Sequence, residues 1–157
     1  MPEAIWFTDS LRKVHVTPED TDGAYALIEV LAPSGHMPPT HVHDNADESF
    51  LVLEGEITLH TSDGATVVRP GEAGHVAAGE AHTLCVTSAG PARAVLVSST
   101  SDFVDYIRAC GRPAEREALP VLDGPPDVAL LLREAPAHGM TILGPPGVLP
   151  ADLVGRV

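Results

Sequence analysis

The sequence predicts a mainly β chain, a sandwich or barrel of short strands closed off by short C-terminal helices. Three observations carry that expectation. From about Tyr25 to Ser99 the text runs in short stretches rich in β-forming residues, each broken by Gly, Pro, Asp or Ser. Fourteen glycines and fifteen prolines punctuate 157 residues, which leaves little room for long helices. Hydrophobic residues make up 44% and charged residues 20%, enough to fill a core and too apolar for a disordered chain.

In chain order, a strand is expected around Leu11–Val16. The β core, about residues 24–99, then carries strands at Tyr25–Leu31, His41–His43, Glu48–Glu54, Glu56–His60, Ala65–Val68, His82–Val86 and Arg93–Val97. Ser62-Asp63-Gly64 and Ala89-Gly90-Pro91 read as hairpin turns. Beyond Ser99 the pattern changes to helical. Ser101 can cap a helix bearing Phe103, Val104, Tyr106, Ile107 and Cys110, and Gly111 with Pro113 would end it. Asp127 to about Ala135 reads as a second short helix, and Met140–Pro146 as an extended tail. Neither helix can bury its apolar face alone. Residues 1–157 are therefore expected to form a single domain, with 101–139 as a helical lid over the β core.

Charge narrows the list of partners. Nine Lys+Arg against 22 Asp+Glu give a formal net charge of −13, with no basic patch for nucleic acid or an anionic membrane. No apolar run reaches the length of a spanning helix, and the N-terminus shows no signal-peptide pattern. Two cysteines, Cys85 and Cys110, make no disulfide framework, so a cytoplasmic protein is expected.

Eight histidines stand against a single lysine, and six of the eight fall between His36 and His82. His41 and His43, two apart on a strand, point to one face. Glu48 opens the next strand after the turn Asp44–Asp47, and His82 opens a later one after Gly79-Glu80-Ala81. Three imidazoles and a carboxylate converging on one interior would hold a divalent ion of the Fe, Mn, Ni, Co or Zn type with positions left open. His36, His60 and His75 fall outside this register and read as loop or solvated residues. Tyr25, Met37, Phe50, Leu84, Phe103 and Tyr106 are candidates for the wall of an apolar substrate pocket.

The spacing Gly35-x5-His41-x-His43-x4-Glu48-x6-Gly55 resembles the first motif of the cupin superfamily at every specified position. The second motif is matched by Gly71, Gly79 and His82, with Ala77 in place of its proline and Val86 in place of its asparagine. PPTHVHDNADESFLVLEGEITL and HGMTILGPP are further similar to single-domain bacterial quercetinases, the cupin flavonol 2,4-dioxygenases. The resemblance implies an antiparallel β-barrel or jelly roll, one divalent metal on His41, His43, Glu48 and His82, and Glu48 as the base that takes the flavonol 3-hydroxyl proton. The partners it implies are an aromatic small molecule and O2, with ring cleavage to a depside and carbon monoxide. A symmetric homodimer is the expected assembly. The same site could serve a non-oxidative isomerase, lyase, epimerase or cyclase acting on a small metabolite, or a non-catalytic binding protein, because one fold hosts many chemistries.

Overall fold

The computed structural model describes residues 1–155. Twelve strands run in chain order: β1 (Glu3–Phe7), β2 (Ser10–Val16), β3 (Ala26–Ala32), β4 (His41–His43), β5 (Glu48–Glu54), β6 (Ile57–Thr61), β7 (Gly64–Val68), β8 (Ala73–Val76), β9 (His82–Val86), β10 (Ala92–Ser98), β11 (Arg112–Pro113) and β12 (Met140–Ile142). The helices are α1 (Asp102–Cys110), α2 (Val128–Glu134) and α3 (Pro150–Leu153).

The strands form two antiparallel sheets, one ordered β11-β1-β2-β3-β10-β5-β8 and the other β12-β4-β9-β6-β7. They face each other as a jelly roll and do not join into one closed barrel. Alternation decides what each strand buries. On β5, Glu48, Phe50 and Val52 face in while Leu51 and Leu53 face out; on β10, Ala94, Leu96 and Ser98 face in. The pairings Leu96↔Phe50, Leu96↔Ile28 and Ile28↔Val14 align these residues as a row across four strands.

Several expectations require correction. Ala89-Gly90-Pro91 is not a hairpin turn, because β9 and β10 lie in different sheets and the segment crosses between them. Ser62-Asp63-Gly64 does join a hairpin, β6 to β7. β1 and β8 were not anticipated. The first helix is core rather than lid: Phe103, Val104, Tyr106 and Ile107 belong to the main apolar cluster. Its outer face carries Arg108, paired with Glu3 at 2.9 Å and Glu19 at 3.0 Å, which ties the helix to β1 and to the turn after β2. α2 buries no residue and is capped by Asp127, whose Oδ1 accepts the Leu130 amide at 3.0 Å. Among the described residues no helix is long and apolar enough to cross a membrane.

Candidate metal centre

The two sheets supply the site jointly. His41 and His43 lie on β4 and His82 on β9, all in the smaller sheet, with His41 and His82 directly opposed in the ladder. Glu48 lies on β5 in the larger sheet, beside Ser98 of β10 and Val76 of β8. The sharp turn Asp44–Asp47 carries the chain from one sheet to the other within four residues. The Gly79 amide donates to the His43 carbonyl at 2.8 Å, and this glycine has a φ of 82°, a left-handed conformation that suits glycine. That bond locks the turn ahead of His82 onto the ligand strand and explains why the two glycine-bearing segments occur together. Val86, where the motif carries asparagine, is instead buried core.

One potential ligand atom from each of His41, His43, Glu48 and His82 lies within 4.8 Å of all the others. The His41 and His82 rings are 4.4 Å apart by centroid, and His43 is 4.9 Å from His41. His41 Nδ1–H donates to the Pro39 carbonyl at 2.7 Å, and His82 Nδ1–H to that of Glu80 at 3.0 Å. Each bond fixes the ring so that Nε2 is the atom turned to the centre. Glu48 Oε2 lies 3.2 Å from His82 Nε2, and Glu48 Oε1 lies 3.3 Å from His43 Nε2. His43 Nε2 and Glu48 Oε1 are buried side-chain atoms without a hydrogen-bond partner among the described residues. Such orphaned atoms in a buried cluster are expensive unless they bind something. A divalent cation fits this donor set of three neutral imidazoles and one carboxylate.

For His41, His43 and Glu48 the electrostatics agree with that use. Burial, reinforced by the His82 and His43 rings, pushes the His41 imidazole down to about 3, which keeps it a neutral donor. Burial also lowers His43, although Glu48 opposes it. Burial would raise the Glu48 carboxyl, but the hydrogen bond from His82 and the surrounding imidazoles hold it near 2, in its anionic form. Burial lowers His82, and Glu48 more than offsets this, so its value is raised.

The cluster opens into a cavity of about 1120 Å³ lying between the sheets. Of the six residues expected on its wall, Met37, Phe50, Leu84, Phe103 and Tyr106 line it. Tyr25 does not: it precedes β3, is 43% exposed and lies outside the cavity. Phe103 of α1 sits edge-on to His43 with centroids 5.2 Å apart. Three polar side chains not anticipated from the sequence, Asp9, Arg12 and His36, also line this cavity. His36 is buried rather than a loop or surface residue, and its Nδ1 pairs with Asp9 Oδ1 at 2.6 Å. Arg12 could have been found by phase, since Ser10, Arg12 and Val14 share one strand face and Val14 is core.

Fold and donor set together resemble those of the cupins. Residues 27–98 match the family described as cupin domain. The chain resembles a quercetinase: over 112 residues, 71% of its length, it is 28% identical to quercetin 2,3-dioxygenase of Bacillus subtilis (strain 168). The match spans 33% of that enzyme, so the chain covers about a third of the length of this relative. Among solved structures, a predicted oxalate decarboxylase from Thermotoga maritima aligns with 64% of this chain and 92% of its own, at a TM-score of 0.57 and 18% identity. Oxalate oxidase in complex with glycolate aligns with 60% of this chain and 52% of its own, at a TM-score of 0.51 and 21% identity. At these identities the likeness is one of fold alone.

Proposed function

We propose that the protein is a metal-dependent dioxygenase of the quercetinase type, acting on a flavonol-like aromatic molecule with O2. The observation that carries the reading is a buried three-histidine, one-glutamate cluster at the end of a large, mainly apolar cavity; the similarity to a quercetin dioxygenase supports it. His41, His43 and His82 through Nε2, with Glu48 through a carboxylate oxygen, would hold one divalent ion such as Ni, Mn, Co, Fe or Zn. When bound, the ion supplies Lewis-acid stabilisation of a substrate oxyanion and a template for orienting the reactants.

The remaining work falls to side chains. Phe50, Leu84 and Phe103 offer flat or branched apolar surfaces to aromatic rings and exclude water from them. Glu48, held anionic and near His82, accepts the proton of the substrate 3-hydroxyl. Val121, Leu122 and Val128 are exposed residues that also line the cavity and would cover the bound rings. In this reading α1 is part of the same folding unit as the sheets, and only the stretch from about residue 120 to 132 acts as cover.

Protein loaded in turn with Fe, Mn, Co and Ni is expected to consume O2 and release carbon monoxide with quercetin in at least one form. Absence of both with every metal, on protein shown to carry the ion, overturns the oxygenase reading. Conversion of a small metabolite under strict anaerobiosis would instead establish the non-oxidative alternative.

A further inference from the structure

The cavity contains a charged group that the metal centre does not use. Arg12 of β2 is only 7% exposed and lines the cavity wall. Its Nε donates to Ser10 Oγ at 3.0 Å. Among the described residues it forms no ion pair, and neither of its Nη groups donates a hydrogen bond. Its guanidinium carbon lies 5.7 Å from the centre of the Phe7 ring, a weak contact. Asp9, the residue immediately before Ser10, is already paired with His36 at 2.6 Å. Burial draws the Arg12 value down to about 10, opposed by the charges of Glu48 and Asp9, so the side chain remains a cation at neutral pH.

Packing gives no reason for a cation here. Arg12 is opposite Val30 in the ladder, Val30 is opposite Ala94, and Ala94 is opposite Val52. An aliphatic side chain would complete that row without the penalty of a buried charge. Glu48 lies four residues further along β5 from Val52, or about 13 Å along the strand at the backbone. The cavity thus has a cation in one row and the donor cluster two rows away, with apolar walls between.

Resting on the reading of this cavity as the substrate site, we propose that Arg12 anchors an anionic group of the substrate, so the substrate is an aromatic molecule bearing a carboxylate remote from its metal-binding oxygens. A guanidinium with both Nη groups uncommitted can receive a carboxylate through paired hydrogen bonds. The proposal adds charge recognition to a pocket otherwise selective by shape.

Trp6 is the chain's one tryptophan and lines the same cavity, so quenching of its fluorescence reads occupancy without turnover. The probes are 3-hydroxyflavone-4′-carboxylate and its methyl ester, titrated into zinc-loaded protein. The acid is expected to bind at least about tenfold tighter than the ester, as charge-assisted hydrogen bonds warrant. Arg12→Met is expected to abolish that preference while changing ester affinity by no more than about twofold, and Arg12→Lys to keep part of it. Arg12→Met is also expected to melt no lower than the wild type, because it removes an unpaired buried charge.

Equal binding of acid and ester by the wild type overturns the proposal. So does an acid preference that survives Arg12→Met, which would place the carboxylate on the zinc or elsewhere. A lower melting temperature in Arg12→Met with the preference intact would make Arg12 structural. The oxygenase reading fails separately. If acid preference depends on Arg12 but 3-hydroxyflavone yields no carbon monoxide with any metal, that reading falls and the anchor stands. If 3-hydroxyflavone is turned over without any acid preference, the reverse holds.

Discussion

Glu48→Gln isolates the contribution of charge at the centre. The substitution keeps the volume and one side-chain oxygen but replaces a carboxylate with a neutral amide. In the structure Glu48 is the sole anion of the four-residue cluster, and one of its oxygens has no hydrogen-bond partner. At free metal 100-fold above Kd, the wild type is stabilised by about 2.7 kcal/mol. For a chain of this size that raises the melting temperature by roughly 5–11 °C. If the amide weakens affinity by about 100-fold, the same metal concentration equals the new Kd, and the stabilisation falls to about 0.4 kcal/mol, or ~1 °C. The assay is a pair of Trp6-fluorescence melts, chelator-treated and metal-supplemented, for both proteins. The chelator-treated melts separate a folding defect from a binding defect. Equal metal-induced shifts in the two proteins, with the same titration midpoint, would remove Glu48 from the ligand set and refute the reasoning.

Gly55→Ala is expected to lose about 2–5 kcal/mol in urea unfolding, from a left-handed backbone and overpacking together. Gly55 has a φ of 76°, and an added Cβ would stand 2.7 Å from Ala92 Cα and from the Pro91 carbonyl oxygen. Ala94→Leu should raise stability by about 1–2 kcal/mol while weakening flavonol binding at least about tenfold, since Ala94 is buried in the core yet lines the cavity. Calorimetry and Trp6 quenching check both effects, and a destabilised variant would show that no space opens there. Burial raises the Asp9 carboxyl, but the His36 contact outweighs it and holds the group below 3.8, so its stabilisation is present above 3.8 and lost as pH falls through the lower folded value. The melting-temperature gap between wild type and Asp9→Asn is therefore expected to be full at about pH 5 and to close as the pH drops below that of the folded carboxyl; a gap that widens in acid would contradict it.

The strands that could be read from the sequence are those with clear edges. His41–His43, Glu48–Glu54 and His82–Val86 coincide with β4, β5 and β9, because each lies between turn residues and carries one buried face. β1 escaped because Ile5, Trp6 and Phe7 are buried in succession, which erases the two-residue period. β8, Ala-Gly-His-Val, is short and lacks bulky β-formers at its start. The crossing at Ala89–Pro91 has the residues of a hairpin, and nothing local says that its two strands enter different sheets. The four clustered residues were legible because their spacing follows the turns that bring two sheets together. Arg12 was marked only by its phase with Val14, against the default that an arginine is solvated, and the His36–Asp9 pair was not legible, since a contact across 27 residues leaves no local mark.

The cavity explains why the interior is organised around a gap rather than a continuous core. Buried apolar residues divide into two clusters, one built around Ile28, Leu96, Val104 and Ile107, the other around Val52, Val68 and Val86. Val30 and Leu84 touch both clusters and also line the cavity, so the space lies where the two would otherwise merge. Apolar side chains around such a space forgo contacts that a filled core would provide. α1 compensates by driving Phe103, Val104, Tyr106 and Ile107 into the larger cluster, and the Arg108 ion pairs hold it there from outside. The buried imidazoles and carboxylate add a second unfavourable term that an ion would reverse. Stability and binding are therefore opposed at Ala94 and Arg12, where a larger or uncharged side chain would favour the fold, and aligned at Glu48, where the bound ion favours both.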